Sequence, residues 1–193
     1  MALLIDWGGV LTTSMLDAFD AFKRREGADP RAAFLDGPGR DALVELECGR
    51  IGIPAFERRL GAVLGVDPDG LAGRLTRDIR PDEEMLAAVR AFHDAGVKTA
   101  LVSNSWRAED YDVDDLFDAI VLSGRLGVRK PDPRIYRHAA ETLGVPTGRC
   151  VFVDDLGGNL KPAKALGMAT IRHTGASSTI AQLERLLSSL GPS

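Results

Sequence analysis

The sequence predicts an α/β fold in which a doubly wound parallel sheet carries a small inserted lobe of α-helices. Three observations support this prediction. Short apolar runs end in polar or glycine-rich turns, helical patterns separate the later runs, and residues 14–80 depart from that rhythm. Continuous apolar runs that alternate with helices are typical of parallel strands covered on both faces.

Five segments are predicted as strands. Their apolar residues are consecutive rather than alternating, which indicates burial on both faces of a sheet. The segments are ALLID (2–6), VKTALVSN (97–104), FDAIVLSG (117–124), CVFVDD (150–155) and the shorter MATI (168–171).

Three helices are predicted between or beside these strands. The first, PDEEMLAAVRAFHDAG (81–96), has Pro81 near its start, acidic residues in its first turn and Gly96 as its stop. Its apolar residues recur at helical spacing. PDPRIYRHAAETLG (131–144) and NLKPAKALG (159–167) follow the same pattern.

Residues 14–80 are predicted to form a helical cap inserted after the first strand. The segments LDAFDAFKRREG (16–27), DALVELECGR (41–50) and PAFERRLGAVLG (54–65) each have apolar residues on one helical side. A crossover of this length is too long for a loop. We therefore expect an α/β core made of residues 1–13 and 81–193, with the cap above the carboxyl ends of its strands.

Composition favours a small-molecule partner. The chain has 193 residues, 45% of them hydrophobic, and a net charge of −4 without a block of like charges. Neither a nucleic acid nor an anionic membrane surface is expected to bind such a chain. The sequence does not indicate an oligomeric state.

The chain is expected to be cytoplasmic. Its two cysteines, Cys48 and Cys150, are far apart and have no metal-ligand spacing, which suits a reducing compartment. The start, MALLIDWGG, has no basic flank and too short an apolar run for a signal peptide or a membrane span. The tail after Leu190 is expected to fray.

Polar residues collect where the predicted strands end. Asp6 follows the first strand, Ser103 and Asn104 follow the second, and Asp154 and Asp155 end the fourth. Ligands of open α/β sheets bind beyond the carboxyl ends of the strands. We therefore expect these side chains to share one crevice, together with Lys130 from the VRKPDP segment.

Three carboxylates in one crevice require a positive charge. Each close pair repels by roughly 4 kcal/mol at an effective dielectric constant of about 20. Lys130 alone is too little if the substrate is also anionic, so we expect a hard divalent cation, Mg²⁺. A phosphate dianion then becomes a favourable guest, with Ser103 and the backbone at Gly8 and Gly9 as donors to its oxygens.

These residues resemble the four motifs of the haloacid dehalogenase-like hydrolases. The motifs occur in order: D-x-x-G-V-L-T at 6–12, S-N at 103–104, the lysine of R-K-P-D-P at 130, and D-D-x-x-x-N at 154–159. ECGRIGIPAF (47–56) and NLKPAKALGM (159–168) are similar to the branch with a helical cap, including the amino-terminal phosphatase domain of soluble epoxide hydrolases. The resemblance implies a Rossmann-like core and, for most members, Mg²⁺-dependent phosphatase activity.

The resemblance also implies a role for each matching residue. Asp6 would be the nucleophile that becomes an aspartyl-phosphate, and Ser103 and Lys130 would bind the transferring phosphoryl group. The metal would be held by Asp6, by Asp155 and by the backbone carbonyl of Gly8, with Asp154 in support. Asn159 would orient the acidic loop, and Gly8, Gly9 and Asn104 would complete the phosphate site.

Gly8 is the departure from this pattern. Phosphatases of this family usually have an aspartate there, which protonates the leaving group and then activates water. General acid–base help of this kind is worth roughly 10² to 10⁴-fold in rate. The leading hypothesis is a phosphatase of a small phosphorylated metabolite that works without this acid.

Two alternatives stay open. The chain could bind a phosphorylated ligand or a protein partner without turnover, although a decayed site has no reason to keep all four motifs. It could instead hydrolyse a carbon–halogen or carbon–phosphorus bond, because D-W-G-G is similar to the D-W-A-G of phosphonoacetaldehyde hydrolases. Lys23 comes too early to supply the cap lysine of those enzymes, and a dehalogenase would not need the paired aspartates.

Other candidates are weaker. The histidines at 93, 138 and 173 have no metal-ligand spacing, and we expect none to be catalytic. Trp7 could shape the substrate pocket or pack against the cap. A substrate anchor could lie among the cap arginines, which are Arg24, Arg25, Arg50, Arg58 and Arg59.

Overall fold

The computed structural model describes residues 1–105 and 115–189, so the tail after Leu190 lies outside the described residues. The strands are β1 (Ala2–Ile5), β2 (Lys98–Ser103), β3 (Ala119–Leu122), β4 (Cys150–Asp154) and β5 (Ala169–Arg172). The helices are α1 (Met15–Glu26), α2 (Pro30–Leu35), α3 (Pro38–Glu47), α4 (Ile53–Leu64), α5 (Leu71–Thr76), α6 (Glu83–Asp94), α7 (Ser123–Leu126), α8 (Pro133–Leu143), α9 (Gly157–Ala165) and α10 (Ala176–Ser189).

The five strands form one parallel sheet in the order β3-β2-β1-β4-β5. β1 is central, and its Leu4 lies opposite Ala100 of β2 and Phe152 of β4. The predicted doubly wound α/β core is therefore confirmed. The predicted strand at 117–124 stops at Leu122, because the chain turns into the short helix α7 at Ser123.

Both faces of the sheet are covered by helices. Leu3 and Ile5 of β1 pack on the side of α6 and α10, whereas Ala2 and Leu4 pack on the side of α8 and α9. All four side chains are fully buried. This two-sided burial explains why the first strand is apolar without alternation.

The inserted helices have an apolar core of their own. Helices α1 to α5 enclose a cluster built from Phe22, Leu46, Phe56, Leu60 and other apolar side chains. Ser14 caps the first of these helices, since its side chain accepts a hydrogen bond from the Leu16 N–H. The arrangement has the form expected of a helical cap, and the division of the chain at residues 13/14 and 80/81 stays a prediction.

The two chain segments that connect the insert to the core lie side by side. The Thr13 N–H donates to the Arg80 carbonyl at 2.8 Å, and the Asp82 N–H donates to the Leu11 carbonyl at 2.9 Å. The first of these segments begins directly after the Asp6 turn. The insert thus joins the core beside the carboxyl edge of the sheet.

No helix in the described part of the chain combines the length and the apolar composition needed to cross a membrane.

Candidate active site

The predicted site residues meet at the carboxyl edge of three neighbouring strands. Asp6 follows β1, Ser103 ends β2 and Asp154 ends β4, and these strands are adjacent in the sheet. Asp6 and Ser103 are nearly buried and Asp154 is fully buried. Parallel pairing alone therefore brings together residues that are almost 150 positions apart in sequence.

Lys130 links two of the carboxylates. Its Nζ lies 2.6 Å from Asp6 Oδ1 and 2.8 Å from Asp154 Oδ2. The Lys130 side chain is only 1% exposed, and its Nζ also lies 5.7 Å from the centroid of the Phe152 ring. The Lys130 ammonium depends on both carboxylate partners, because removing either one would leave a charge unpaired in the interior.

Burial and neighbouring charges shift the pKa values of Asp6, Lys130 and Asp155. Burial raises the pKa of Asp6 to about 7, and the nearby Lys130 ammonium only partly offsets that effect. Burial lowers the pKa of Lys130, but Asp6 and Asp154 raise it more, so it stays above its ordinary value. Burial and the neighbouring Asp154 also raise the pKa of Asp155.

Asp154 is held by hydrogen bonds from the start of α9. The Asn159 side-chain amide donates to both Asp154 oxygens at 3.0 Å, and the Leu156 N–H donates to Oδ1 at 2.8 Å. The Tyr136 hydroxyl in turn donates to the Asn159 carbonyl at 2.7 Å. Asn159 thus contacts Asp154 of the acidic loop, its orienting role stays a prediction, and Tyr136 is a supporting residue that was not identified from the sequence.

Asn104 holds the Lys130 backbone. Its side-chain oxygen accepts from the Lys130 N–H at 2.8 Å, and its side-chain nitrogen donates to the Lys130 carbonyl at 3.1 Å. This pair of bonds joins the end of β2 to the lysine segment. A direct role for Asn104 in phosphate binding stays a prediction.

The turn after Asp6 presents three consecutive backbone N–H groups. The Trp7 N–H donates to Asp6 Oδ1 at 2.7 Å, and the Gly9 N–H donates to Thr12 Oγ1 at 3.2 Å. Among the described residues the structure shows no protein acceptor for the Gly8 N–H. The Gly8 N–H is therefore the donor of this turn that a phosphate oxygen could use.

Gly8 and Gly9 differ in the space around them. A Cβ at Gly9 would lie 2.8 Å from Asp155 Oδ2, and Gly9 has a φ of +74°, so only glycine suits this position. A Cβ at Gly8 would meet no heavy atom within 4 Å. The space that an acid would occupy in the usual motif is thus open.

The acidic residues form a set of oxygen donors that suits a divalent cation. One carboxylate oxygen from each of Asp6, Asp154 and Asp155 lies within 4.8 Å of the others. Hard oxygen ligands are those that Mg²⁺ prefers, and the raised pKa values of Asp6 and Asp155 show negative charge held at a cost. A cation would relieve that cost, so the residues present fit the predicted metal.

Three further residues near the site, besides Tyr136, were not identified from sequence. Glu47, at the end of α3, lies 2.6 Å from Arg129 through its Oε2, and Ser123 donates to the Glu47 carbonyl. Burial raises the pKa of Glu47 to about 7, although Arg129 and Lys130 lower it. Arg129, which precedes Lys130 in R-K-P-D-P, was the sequence feature that could have indicated the contact between Glu47 and the lysine segment.

The weaker candidates lie in ordinary structural contacts. His93 contacts Thr99 at 3.0 Å, His173 contacts Thr179 at 3.0 Å, and His138 is exposed. Arg25 pairs with Asp78 and Arg59 pairs with Glu45 on the cap surface. Trp7 is partly buried against the core cluster that covers the α6 and α10 face.

Comparison with known proteins gives consistent matches. The model of the haloacid dehalogenase-like hydrolases matches residues 1–167. A sesquiterpene phosphatase from Aspergillus oryzae is 29% identical over 153 residues, which cover 74% of this chain and 78% of that protein. The bifunctional epoxide hydrolase 2 of Rattus norvegicus is 35% identical over 113 residues, which cover 53% of this chain but only 20% of that protein.

One solved structure shows the same fold. It is a HAD family enzyme from Bacteroides thetaiotaomicron, determined in complex with magnesium and inorganic phosphate. The TM-score is 0.66 at 22% identity, and the superposition covers 89% of this chain and 92% of the other.

Proposed function

The chain belongs to the haloacid dehalogenase-like hydrolases, and from this premise we propose that it is a Mg²⁺-dependent phosphatase. It hydrolyses the phosphomonoester of a small metabolite through an aspartyl-phosphate on Asp6. The observation that carries this proposal is the buried Asp6 carboxylate, held by Lys130 at 2.6 Å beside the acidic cluster at the carboxyl edge of the sheet.

The metal site consists of this chain's own oxygens. Asp6, Asp155 and the Gly8 carbonyl would hold Mg²⁺, and Asp154 would support it through Lys130 and Asn159. Bound there, the ion would offset the negative charge of the phosphoryl group and of the carboxylates. The Bacteroides enzyme, which was solved with magnesium and inorganic phosphate, supports this assignment by analogy of fold.

The chemical steps follow from the positions of the side chains. An Asp6 carboxylate oxygen forms a bond to phosphorus while the bond from phosphorus to the ester oxygen breaks. Lys130, Ser103 and the Gly8 N–H bind the oxygens of the transferring group. Water then attacks phosphorus, the bond to Asp6 breaks, and inorganic phosphate and the free carboxylate result.

The leaving group needs a proton, and Gly8 cannot supply one. An activated leaving group departs without that help, whereas an alkoxide leaves slowly unless water or the substrate protonates it. We therefore propose substrates with good leaving groups, or slow turnover of ordinary esters. The epoxide hydrolase match does not define this chain's substrate, because it covers only 20% of that protein.

A second candidate function is the binding of a phosphorylated ligand or a protein partner without turnover. The observation that favours it is the open space at Gly8, where the acid of the usual motif is absent. Hydrolysis at a carbon–halogen or carbon–phosphorus bond stays a less favoured alternative, since the paired aspartates suit a metal. Nucleic acids and membranes are not proposed as partners.

Hydrolysis of 4-nitrophenyl phosphate tests the proposal. We expect Mg²⁺-dependent release of nitrophenolate by the native protein and a loss of at least roughly 10³-fold in kcat for Asp6→Asn, because the nucleophile is removed. Asp20→Asn is the matched control, since Asp20 pairs with Arg31 on the exposed cap surface. Mg²⁺ and phosphate binding without turnover would favour the second candidate, and equal activity of both variants would contradict Asp6 as the nucleophile.

A further inference from the structure

One residue of the helical insert is linked to both core segments that the proposed function assigns to phosphate binding, to one directly and to the other through Ser123. These segments are residues 103–105, which contain Ser103, and residues 129–130, which contain Lys130. The residue is Glu47, the last of α3, and it is only 8% exposed.

The Glu47 side chain contacts the lysine segment. Its Oε2 lies 2.6 Å from Arg129 Nε, and Arg129 directly precedes Lys130. The Lys130 backbone is in turn fixed by two hydrogen bonds to the Asn104 side chain. A displacement of Arg129 would therefore act on the residue whose Nζ contacts Asp6 and Asp154.

The Glu47 main chain is linked to the serine segment through Ser123. Ser123 is fully buried, and its hydroxyl lies within hydrogen-bond distance of both the Glu47 carbonyl and the Ser105 carbonyl. The Gly124 N–H also donates to the Ser105 carbonyl, at 2.9 Å. Ser123 thus joins α3 to the chain that follows Ser103.

The junction is closely packed at its next turn. Gly49 has a φ of +68°, and a Cβ there would lie 2.5 Å from the Gly124 carbonyl oxygen. Only glycine permits this approach of the two backbones. The position of Glu47 relative to the core is therefore set by its backbone as well as by its charge.

We propose that Glu47 is a positioning residue through which the insert holds the phosphate-binding segments of the core in place. The carboxylate fixes the segment of Lys130 and the carbonyl fixes the segment of Ser103, so formation of the phosphate site depends on docking of the insert. This inference rests on the proposed function for the roles of Ser103 and Lys130, but the contacts themselves do not.

Three variants separate positioning from other effects. Glu47→Ala removes the acceptor for Arg129, whereas Glu47→Gln keeps an acceptor of the same shape. Glu45→Ala is the matched control, because Glu45 lies on the same helix and pairs with Arg59 instead of with the core.

The first readout is amide hydrogen exchange of the metal-free protein, measured on peptides that contain Gly124 and Lys130. We expect faster exchange at the Lys130 amide in Glu47→Ala, little change in Glu47→Gln and none in Glu45→Ala, while the Gly124 amide serves as an internal reference because alanine keeps the carbonyl of residue 47. Unchanged exchange in Glu47→Ala, or acceleration spread evenly over the whole core, would overturn the proposal. This readout decides the proposal even if the native protein proves to have no turnover.

The second readout is affinity for inorganic phosphate in the presence of Mg²⁺, together with KM for 4-nitrophenyl phosphate. We expect both constants to rise by roughly tenfold or more in Glu47→Ala, the scale of one lost interaction with a charged group. Both constants should stay close to their native values in Glu47→Gln and should be unchanged in Glu45→Ala. A fall in kcat with unchanged phosphate affinity and KM would contradict positioning of the phosphate segments.

Discussion

Restoring an acid at position 8 should accelerate the hydrolysis of alkyl phosphates. The structure accommodates the change Gly8→Asp, because a Cβ at Gly8 meets no heavy atom within 4 Å and the backbone there is outside the left-handed region. We therefore expect little cost in folding stability, and replacing glycine also reduces the entropy of the unfolded chain.

The local charges favour the protonated form of the new side chain. Two carboxylates about 6 Å apart repel each other by roughly 3 kcal/mol at an effective dielectric constant of about 20, and a carboxylate at position 8 would be the fourth of this cluster. Like charges raise the pKa of a carboxyl group, and a raised pKa suits a general acid near neutral pH. The acidic cluster of Asp6, Asp154 and Asp155 would thus help the new residue to donate a proton.

The gain should depend on the leaving group. An alkanol is about as weak an acid as water, so its departure gains most from protonation. A phenol has a pKa near 10 and gains less. We expect a rise in kcat of about 10² to 10⁴-fold for glycerol phosphate and of roughly tenfold or less for phenyl phosphate.

The control is Gly8→Asn, which has nearly the same size and no acidic proton. Steady-state kinetics of both variants on both esters would test the reasoning. Equal gains for Asp and Asn, or a gain that does not depend on the leaving group, would refute the idea that the missing acid limits the reaction.

Two further predictions concern the metal and pH. Gly9→Ala places a methyl group 2.8 Å from Asp155 Oδ2 in a backbone with a φ of +74°. We therefore expect the free energy of unfolding to fall by about 1–3 kcal/mol. We also expect addition of Mg²⁺ to raise the melting temperature of the variant by less than that of the native protein. An unchanged Mg²⁺ shift would contradict Asp155 as a ligand. The pKa of Glu47 is about 7 in the folded state against 4.5 ordinarily, so the native state binds this proton more tightly than the unfolded state. The stability that Glu47 contributes is present below about pH 4.5 and is lost as the pH rises through 7. The free energy of unfolding should fall by up to about 3 kcal/mol over this range, because each tenfold change in proton affinity is worth about 1.4 kcal/mol. Urea unfolding across this range should show a flatter pH dependence for Glu47→Gln, and parallel curves would contradict the prediction.

The core of the fold could be predicted because its strands are buried on both faces. Leu3 and Ile5 face one helical layer, and Ala2 and Leu4 face the other. Because both faces of the strand are buried, its residues are consecutively apolar, and this run is visible in the sequence. Helix α7 has only four residues, too few to show helical periodicity. Helix α10 begins in the serine-rich stretch ASST, which has the composition of a loop.

The approach of the site residues could be predicted from the topology, whereas their partners could not. Parallel strands place Asp6, Ser103 and Asp154 at the carboxyl edge of the sheet, and this placement does not depend on side-chain contacts. The contacts made by Asn104 and by Glu47 depend on loop conformation and on the position of the insert, and neither has a short-range signature. Neither the Asn104 contact with the Lys130 backbone nor the position of Glu47 could therefore be identified from the sequence.

The donors at the site bear on whether the chain is an enzyme or a binder. Lys130 has three N–H groups, and two of them are directed to Asp6 and Asp154, which leaves one for a ligand oxygen. Together with the Gly8 N–H this would bind a phosphate in either function. In a binder without turnover, Asp6 would serve only as a ligand of the metal, and its charge would repel that phosphate wherever the cation did not offset it. A phosphatase gives the same carboxylate a second use, as the nucleophile that attacks phosphorus, and the buried position of Asp6 at 2.6 Å from Lys130 suits that use.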